Sequence, residues 1–388
     1  MNHPAPGTSM KALQILEATG GGARKHVRQL VCGLRSRGLE VDVIVSPNRA
    51  EADFGDDLEM FRGHGCEVFE VPLARLPTAS DHAAHKELQR IIRLQQPQIV
   101  HAHCFKAGYL GRTAAKAVSA DIRTVYTPHA FVFDGLGPFI RTMAILLERQ
   151  RAAVTDLLLC ISAAEGDQAL AHRIVPASRL RVAPNGIPAE FATRLLDRET
   201  ARRELQLDDN VTAIGVLARL APQKGHAQLL EALNIMAPGE RQSLQVLCFG
   251  DGELELALQQ RCDELGLAGT VRFLGYRPQA ERFLPGLDFT VLPSAYEGLS
   301  YSLLESLAAG VPVIASNVPG NRCGGDAPVV YFSNGNAGEL ATHIHALAHD
   351  THARDRLAAR APAFIAESYS LDRQLDVVCD AYKTLVDG

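Results

Sequence analysis

The sequence lacks several common signatures, and each absence closes off a class of protein. The eight cysteines (Cys32, Cys66, Cys104, Cys160, Cys248, Cys262, Cys323 and Cys379) are scattered and include no C-x-x-C pair. Such spacing argues against a zinc ribbon or a disulfide framework and for reduced, mostly buried thiols. No uncharged apolar run reaches about 18 residues, the length that reads as a membrane-spanning helix. Met1–Ser9 lacks the apolar core of a signal peptide, so a soluble, unsecreted, cytoplasmic protein is expected. Neither G-x-G-x-x-G nor G-x-x-x-x-G-K-[ST] occurs, which removes the strongest markers of dinucleotide binding and P-loop chemistry. There is no low-complexity tract and no short repeat.

With 388 residues and 47% hydrophobic content, the chain exceeds one ordinary core and predicts two domains. Apolar, β-branched runs alternate with helical patterns throughout, the pattern of parallel βαβ units. In the first half strands are expected at 12–16, 41–45, 99–102, 124–127 and 157–161. In the second half they are expected at 213–217, 245–249, 271–274, 289–292 and 313–315. The turn cluster Pro184-Asn-Gly-Ile-Pro188 marks a boundary, giving domains at 1–188 and 189–370, followed by a last helix over Leu371 to Val386. The net charge of −5 is unevenly divided. Residues 1–188 carry 22 Lys+Arg against 18 Asp+Glu (+4), and residues 189–388 carry 17 against 26 (−9). Solvated helix faces are the ordinary cause of such a division, but the basic half is the one suited to an anionic partner.

The most informative segment is Glu297-Gly-Leu-Ser-Tyr-Ser-Leu-Leu-Glu305, where two carboxylates bracket a loop that turns into a helix. It follows the short strand ending at Pro293 and precedes a helix stopped by Gly310 and Pro312. Glu297 therefore falls in the strand-to-helix crevice where open α/β sheets bind ligands. The free N–H groups and dipole of the new helix attract a diphosphate, and a carboxylate accepts hydrogen bonds from sugar or ribose hydroxyls. The competing reading is a capping box, in which Ser302 and Glu305 only satisfy backbone N–H groups.

The wider stretch Tyr296–Ala315 resembles the glutamate-x7-glutamate signature of family 4, the large family of retaining glycosyltransferases with the GT-B fold. The resemblance covers nearly the whole chain and is strongest from Gly215 to Ala315. It implies an α/β protein of GT-B architecture, two Rossmann-like domains facing across a cleft, the first binding acceptor and the second the nucleotide sugar. It also implies that the terminal helix packs back on the first domain. Leu217-Ala-Arg-Leu-Ala-Pro-Gln-Lys-Gly225 resembles the family's arginine-and-lysine motif, which makes Arg219 and Lys224 the cations for the departing diphosphate. Glu297 would orient the donor sugar, with Gly298, Leu299 and Ser300 lining the donor, and Glu305 would hold the ribose. Gly250, Tyr276 and Arg277 would lie near the nucleotide base, although ordinary tight turns explain those glycines equally well. Gly21 and Gly22 would lie against diphosphate or acceptor. There the family often has an acidic residue two places after the second glycine, where this chain has Arg24. Many relatives also have an acidic residue near the position of Cys323.

His129 follows a strand and matches a family histidine that contacts the donor sugar and approaches the acceptor; a purely structural histidine is the plainer alternative. His101 and His103 are read as pointing to opposite faces of one strand, so no shared metal is expected, and no cofactor is implied. The reading is a retaining glycosyltransferase moving a sugar from a nucleoside diphosphate sugar to a glycan or lipid-diphosphate-linked acceptor, without metal and without nucleic acid. Front-face attack, with the leaving phosphate taking the acceptor proton, is the family expectation. The alternatives are a UDP-sugar 2-epimerase of the same fold and a non-catalytic sugar-nucleotide or glycan-binding protein; inverting relatives usually lack the glutamate pair. Two basic segments could touch an anionic membrane at its inner face: the helix carrying Arg24, Lys25, Arg28, Arg35 and Arg37, and the apolar stretch 138–153 with Arg141, Arg149 and Arg151.

Overall fold

The computed structural model describes residues 10–74 and 78–388; Met1–Ser9, read above for a leader, lies outside the described residues. The chain divides into two compact units. One ends at Asn185 and is completed by Leu371–Gly388, and the other spans Gly186–Ser370.

The first unit is built on seven strands, β1 (Lys11–Leu16), β2 (Glu40–Val45), β3 (Val68–Glu70), β4 (Ile99–His103), β5 (Arg123–Thr127), β6 (Leu157–Cys160) and β7 (Leu180–Val182). They lie in the order β3-β2-β1-β4-β5-β6-β7, and every pairing is parallel. Central strands of such a sheet are covered on both faces, so they read as continuous apolar runs. Alternate residues of β1 separate accordingly. Leu13 and Ile15 join a cluster with Leu88 and Ile92, while Ala12 and Leu16 join one with Val27, Leu30 and the terminal helix. Gln14 shares that second face, because alternate strand residues do.

The terminal helix Leu371–Asp387 buries Leu375, Val378 and Tyr382 in that cluster. Burial of this kind stabilises by roughly 2 kcal/mol for each large apolar side chain. The helix Gly21–Ser36 meets it at Gly33, where a Cβ would sit 2.3 Å from Leu375 Cδ1.

The second unit has six strands, β8 (Thr212–Leu217), β9 (Leu244–Phe249), β10 (Val271–Phe273), β11 (Phe289–Leu292), β12 (Val313–Ser316) and β13 (Val329–Phe332). Their order is β10-β9-β8-β11-β12-β13, again all parallel. Both units are thus Rossmann-like, with the strand order reversing between β1 and β4 in one and between β8 and β11 in the other. Three strands were not expected from the sequence: β3, β7 and β13. All are sheet edges of three or four residues with at most one buried position. β3 and β7 each include a charged residue, whereas β13 is the wholly apolar run Val329-Val330-Tyr331-Phe332 and was missed despite it. All eight cysteines are unpaired, six of them buried. Among the described residues no helix is long and apolar enough to cross a membrane.

Candidate functional site

Two loops meet at the switch point of the second sheet, one after β8 and one after β11. Lys224 arrives on the first and Glu297 on the second, and Lys224 Nζ lies 2.6 Å from Glu297 Oε1. The loops are stapled together by backbone contacts. Ala295 N–H donates to Gln223 O at 2.8 Å, and Gln223 Nε2 donates to Tyr296 O at 3.0 Å. Gly225 makes the approach feasible: it adopts φ +70°, and a Cβ there would lie 1.8 Å from Pro293 O. Pro293, Ser294 and Ser300 line the pocket that results, with Leu217 and Ala218 opposite.

The helix Tyr301–Ala308 begins immediately beyond, with Ser300 as its N-cap. Ser302 therefore sits inside the first turn, and its hydroxyl donates to Leu217 O at 2.5 Å. This overturns the capping-box reading, which needs Ser302 at the cap; Glu305 lies two residues beyond the position from which a glutamate reaches back to the cap N–H. Glu305 is buried, 5% exposed. Among the described residues the backbone N–H groups of Gly298 and Ser300 donate to no acceptor, and the helix start adds partial positive charge beside them. Lysine, N–H groups and helix end together present positive charge and unspent donors beside a carboxylate, an arrangement chemically suited to an anion.

Arg219 is exposed and makes no ion pair among the described residues. The turns after β9 and β10 are joined, Gly250 N–H donating to Gly275 O at 2.8 Å, and Leu220 N–H donating to Asp251 O at 2.7 Å ties the first of them to the β8 loop. Tyr276 and Arg277 sit on this edge, with the Arg277 guanidinium 5.8 Å from the Phe283 ring centroid. Arg219, Lys224, Gly250, Tyr276, Arg277, Glu297, Gly298, Leu299, Ser300 and Glu305 are thus all residues of one unit, on the loops and helix start that follow its strands. Two supports were not anticipated. A Cβ at Gly320 would lie 1.9 Å from Glu297 O, so only glycine lets this segment back the Glu297 loop. Ser316 Oγ donates to Ser294 O at 2.5 Å, bracing the same loop from β12. The lone glycine after Pro319 was the available signal for the first; the second had none, since a strand-end serine is commonplace.

Gly21, Gly22 and His129 belong to the first unit, after β1 and β5. Gly21 N–H donates to Glu51 Oε1 at 2.8 Å, so this donor is already spent on a carboxylate. Arg24 holds that carboxylate in place. It is buried and pairs with Glu51 at 2.9 Å, Asp53 at 2.5 Å and Asp57 at 2.7 Å. Glu51 thus sets a carboxylate beside the glycine loop although position 24 is an arginine. Arg24 is correspondingly withdrawn from any membrane role, Arg28 lies 3.5 Å from Asp57, and Arg37 pairs with Asp372 and Asp376.

His129 adopts φ +57° and Ala130 φ +75°, a strained pair of left-handed residues held by Ala130 N–H donating to Glu165 Oε1 at 2.8 Å. Burial raises the Glu165 carboxyl to about 7. His101 and His103 point to one face of β4, not to opposite faces, because residues two apart on a strand share a face. Their ring centroids are 4.0 Å apart. Burial holds His101, His103 and His129 well below the ordinary histidine range, and His26 at about 4, so all four rings are neutral near pH 7. His26, His103 and His129 each bring a nitrogen within 4.8 Å of the others. His103 Nδ1 and His129 Nε2 are however hydrogen-bonded to each other at 3.0 Å, and a metal would have to break that bond.

The family described as Glycosyl transferases group 1 matches residues 197–364, and that described as Glycosyltransferase Family 4 matches residues 20–191. This chain belongs to glycosyltransferase family 4. Similar proteins include the UDP-Gal:alpha-D-GlcNAc-diphosphoundecaprenol alpha-1,3-galactosyltransferase of Escherichia coli, 29% identical over 317 residues and 80% of each chain. The lipopolysaccharide core biosynthesis glycosyltransferase LpsD of Rhizobium meliloti (strain 1021) is 26% identical over 380 residues, covering 97% of this chain and 98% of that protein. Among solved structures, Anabaena Alr3699/HepE in complex with UDP-glucose aligns with a TM-score of 0.81 at 20% identity, covering 97% of this chain and 100% of that one. At that identity the likeness establishes the shared fold. The family assignment favours sugar transfer over the epimerase and binding-protein readings, so this chain is a glycosyltransferase.

Proposed function

We propose that this glycosyltransferase takes a sugar from a nucleoside diphosphate sugar, a UDP-hexose as in the Escherichia coli relative, and transfers it with retention to a glycan or lipid-diphosphate-linked acceptor. The observation that carries this reading is the Lys224–Glu297 pair beside the unpartnered N–H groups of Gly298 and Ser300. Without donor, each charge of the pair satisfies the other. A diphosphate entering the anion site draws Lys224 to itself, which releases the Glu297 carboxylate to accept hydrogen bonds from sugar hydroxyls. Lys224, Arg219 and the helix start then stabilise charge that grows on the leaving group, an electrostatic contribution larger in the transition state than in the ground state. In this proposal residues 189–370 bind the nucleotide sugar, and the first domain, 1–188 with the terminal helix, binds acceptor. With a carboxylate already at Gly21, the glycine loop suits the hydroxyls of an acceptor better than a second diphosphate.

The acceptor's lipid gives the enzyme a reason to meet an anionic membrane at the cytoplasmic face. The helix Pro138–Arg151 supports that contact. Phe139, Ile140, Met143 and Leu146 are 80%, 58%, 48% and 47% exposed, and Arg141 and Arg149 are exposed beside them. Residues 139, 143 and 146 follow helical spacing, so they form one apolar stripe turned away from the core, with cations at its margin.

A thermal-shift panel of UDP, GDP and ADP sugars tests the donor assignment. A ligand present at about 100 times its Kd adds roughly 2.7 kcal/mol of stability. Stabilisation by UDP-hexoses alone supports the reading, stabilisation by another base moves the donor class, and no response to any nucleotide sugar refutes it.

A further inference from the structure

A continuous set of hydrogen bonds runs through the first unit from a backbone carbonyl to His129, and its direction is fixed at the far end. Thr127 Oγ1 lies 2.8 Å from Leu159 O; a carbonyl cannot donate, so the single threonine proton is committed there. Thr127 Oγ1 must then accept from His101 Nε2–H, 2.8 Å away. His101 is neutral, so its Nδ1 is an acceptor, and the Tyr382 hydroxyl donates a hydrogen bond to it at 2.7 Å. The Tyr382 oxygen in turn accepts from Gln14 Nε2 at 3.0 Å, which turns Gln14 Oε1 toward His103 Nε2–H at 2.9 Å. That leaves His103 Nδ1 as an acceptor, and His129 Nε2–H donates to it. Gln14, His101, His103, Thr127 and Tyr382 are all 0% exposed, so no solvent molecule reaches the network to reverse a link.

We propose that Tyr382, on the terminal helix, is a positioning residue that acts through Gln14 and His103 to hold His129 as its Nε2–H tautomer, with Nδ1 as an acceptor for a substrate hydroxyl. Among the described residues Nδ1 of His129 has no partner, and the residue is only partly buried. In this tautomer the ring accepts from a sugar or acceptor O–H and cannot donate to a phosphate oxygen through Nδ1. The left-handed backbone at His129 and Ala130, pinned by Glu165, fixes where the ring stands; the relay fixes which nitrogen carries its proton. The inference rests on the reading that His129 faces the reacting sugars.

The test is two-bond 15N–1H correlation of the full-length protein labelled with 15N-histidine, paired with steady-state transfer kinetics. In the wild type His129 should show a protonated Nε2 and a bare Nδ1. In Tyr382→Phe the Gln14 amide loses its anchor and is free to flip, so His129 should show a mixture of tautomers. kcat should fall about tenfold, the scale of losing an outer hydrogen bond that orients an imidazole ligand, with donor KM within about twofold. If Tyr382→Phe does not fold, Gln14→Leu removes the next link and carries the same expectation. An Nδ1-protonated His129 in the wild type, or an unchanged tautomer in the folded variant, overturns the proposal; so does a changed tautomer with unchanged kcat. His129→Ala separates the two ideas: wild-type kcat in that variant refutes the placement of His129 at the reaction site, whereas the tautomer spectrum reports on the relay alone.

Discussion

The contact between Lys224 and Glu297 invites a double-mutant cycle. The Glu297 side chain is 8% exposed and that of Lys224 20%, so the pair is mostly withdrawn from water. Lys224→Met strips the counter-charge from a nearly buried carboxylate. Breaking a buried pair costs about 3–5 kcal/mol, and the partial exposure of Lys224 places this one at roughly 2–3 kcal/mol. For a unit of this size that lowers the melting temperature by about 4–12 °C, at roughly 2–4 °C per kcal/mol. Glu297→Gln keeps an acceptor for Lys224 and should cost about 1 kcal/mol, the difference between a charge-assisted and a neutral hydrogen bond. The double variant should be more stable than the sum of the two predicts by about 1–2 kcal/mol, because neither charge is then left alone. Thermal or urea unfolding of the four proteins reads the coupling. In the same samples, Lys224→Met should lose on the order of 10²-fold in kcat, comparable to removing one preorganised electrostatic donor. Additive stability changes, within about 0.3–0.5 kcal/mol, would show that the contact is not populated. Near-normal kcat/KM in folded Lys224→Met would take the lysine out of the site.

Glu305→Gln, at a position inside the helix and not at its cap, should leave the melting temperature unchanged and raise donor KM about five-fold, since a carboxylate accepts from ribose hydroxyls more strongly than an amide by about 1 kcal/mol; an unchanged KM would assign Glu305 to structure alone. Replacing Phe139, Met143 and Leu146 together by serine should lower partitioning onto anionic vesicles about 10²-fold, given roughly 1 kcal/mol for each half-buried apolar side chain. Fold stability should be unaffected, and equal sedimentation of wild type and variant with vesicles would remove the helix as the contact. Acidification should destabilise the protein. His26 and His226 are held at about 4 by burial, below the ordinary 6.5, so between those values the unfolded chain binds protons that the folded one refuses. Each therefore costs about 1.4 kcal/mol of stability per pH unit as pH falls through that window. Glu165, raised to about 7, works in the opposite sense from pH 7 down to its ordinary 4.5, but it is outnumbered by the histidines. Apparent melting temperatures that stay level or rise from pH 6.5 to pH 4.5 would contradict this account.

Much of the fold was legible because its signals are local. The nine central strands and the edge strand β10 are apolar or β-branched segments between helical patterns, so these ten were legible. The three-residue edge strands β3 and β7 were not, since each includes a charged residue and no position of either is buried; β13 did show the apolar run Val329–Phe332 and was overlooked. The segments bearing Lys224 and Glu297 were legible for the same reason, each following a strand end. Helix numbering misled in one place: the cap is Ser300, and the Ser302 hydroxyl donates to Leu217 O at the end of β8 instead of closing a capping box. The misreading of His101 and His103 was an error of strand geometry, because residues two apart share a face.

The sequence by itself determined the class of the protein, the parallel alternation of strands and helices, and the residue types available for an anion site. Tertiary structure alone decided which of them meet. Lys224 and Glu297 are 73 residues apart, and only the side-by-side placement of β8 and β11 brings them within 2.6 Å. Arg24 reads as a surface cation until Glu51, Asp53 and, on the helix Phe54–Gly63, Asp57 close around it. Gln14 and Tyr382 are separated by 368 residues, and no spacing rule connects them. Local patterns record what a residue needs from its own helix or strand, whereas burial and hydrogen-bond direction depend on every element that closes over it.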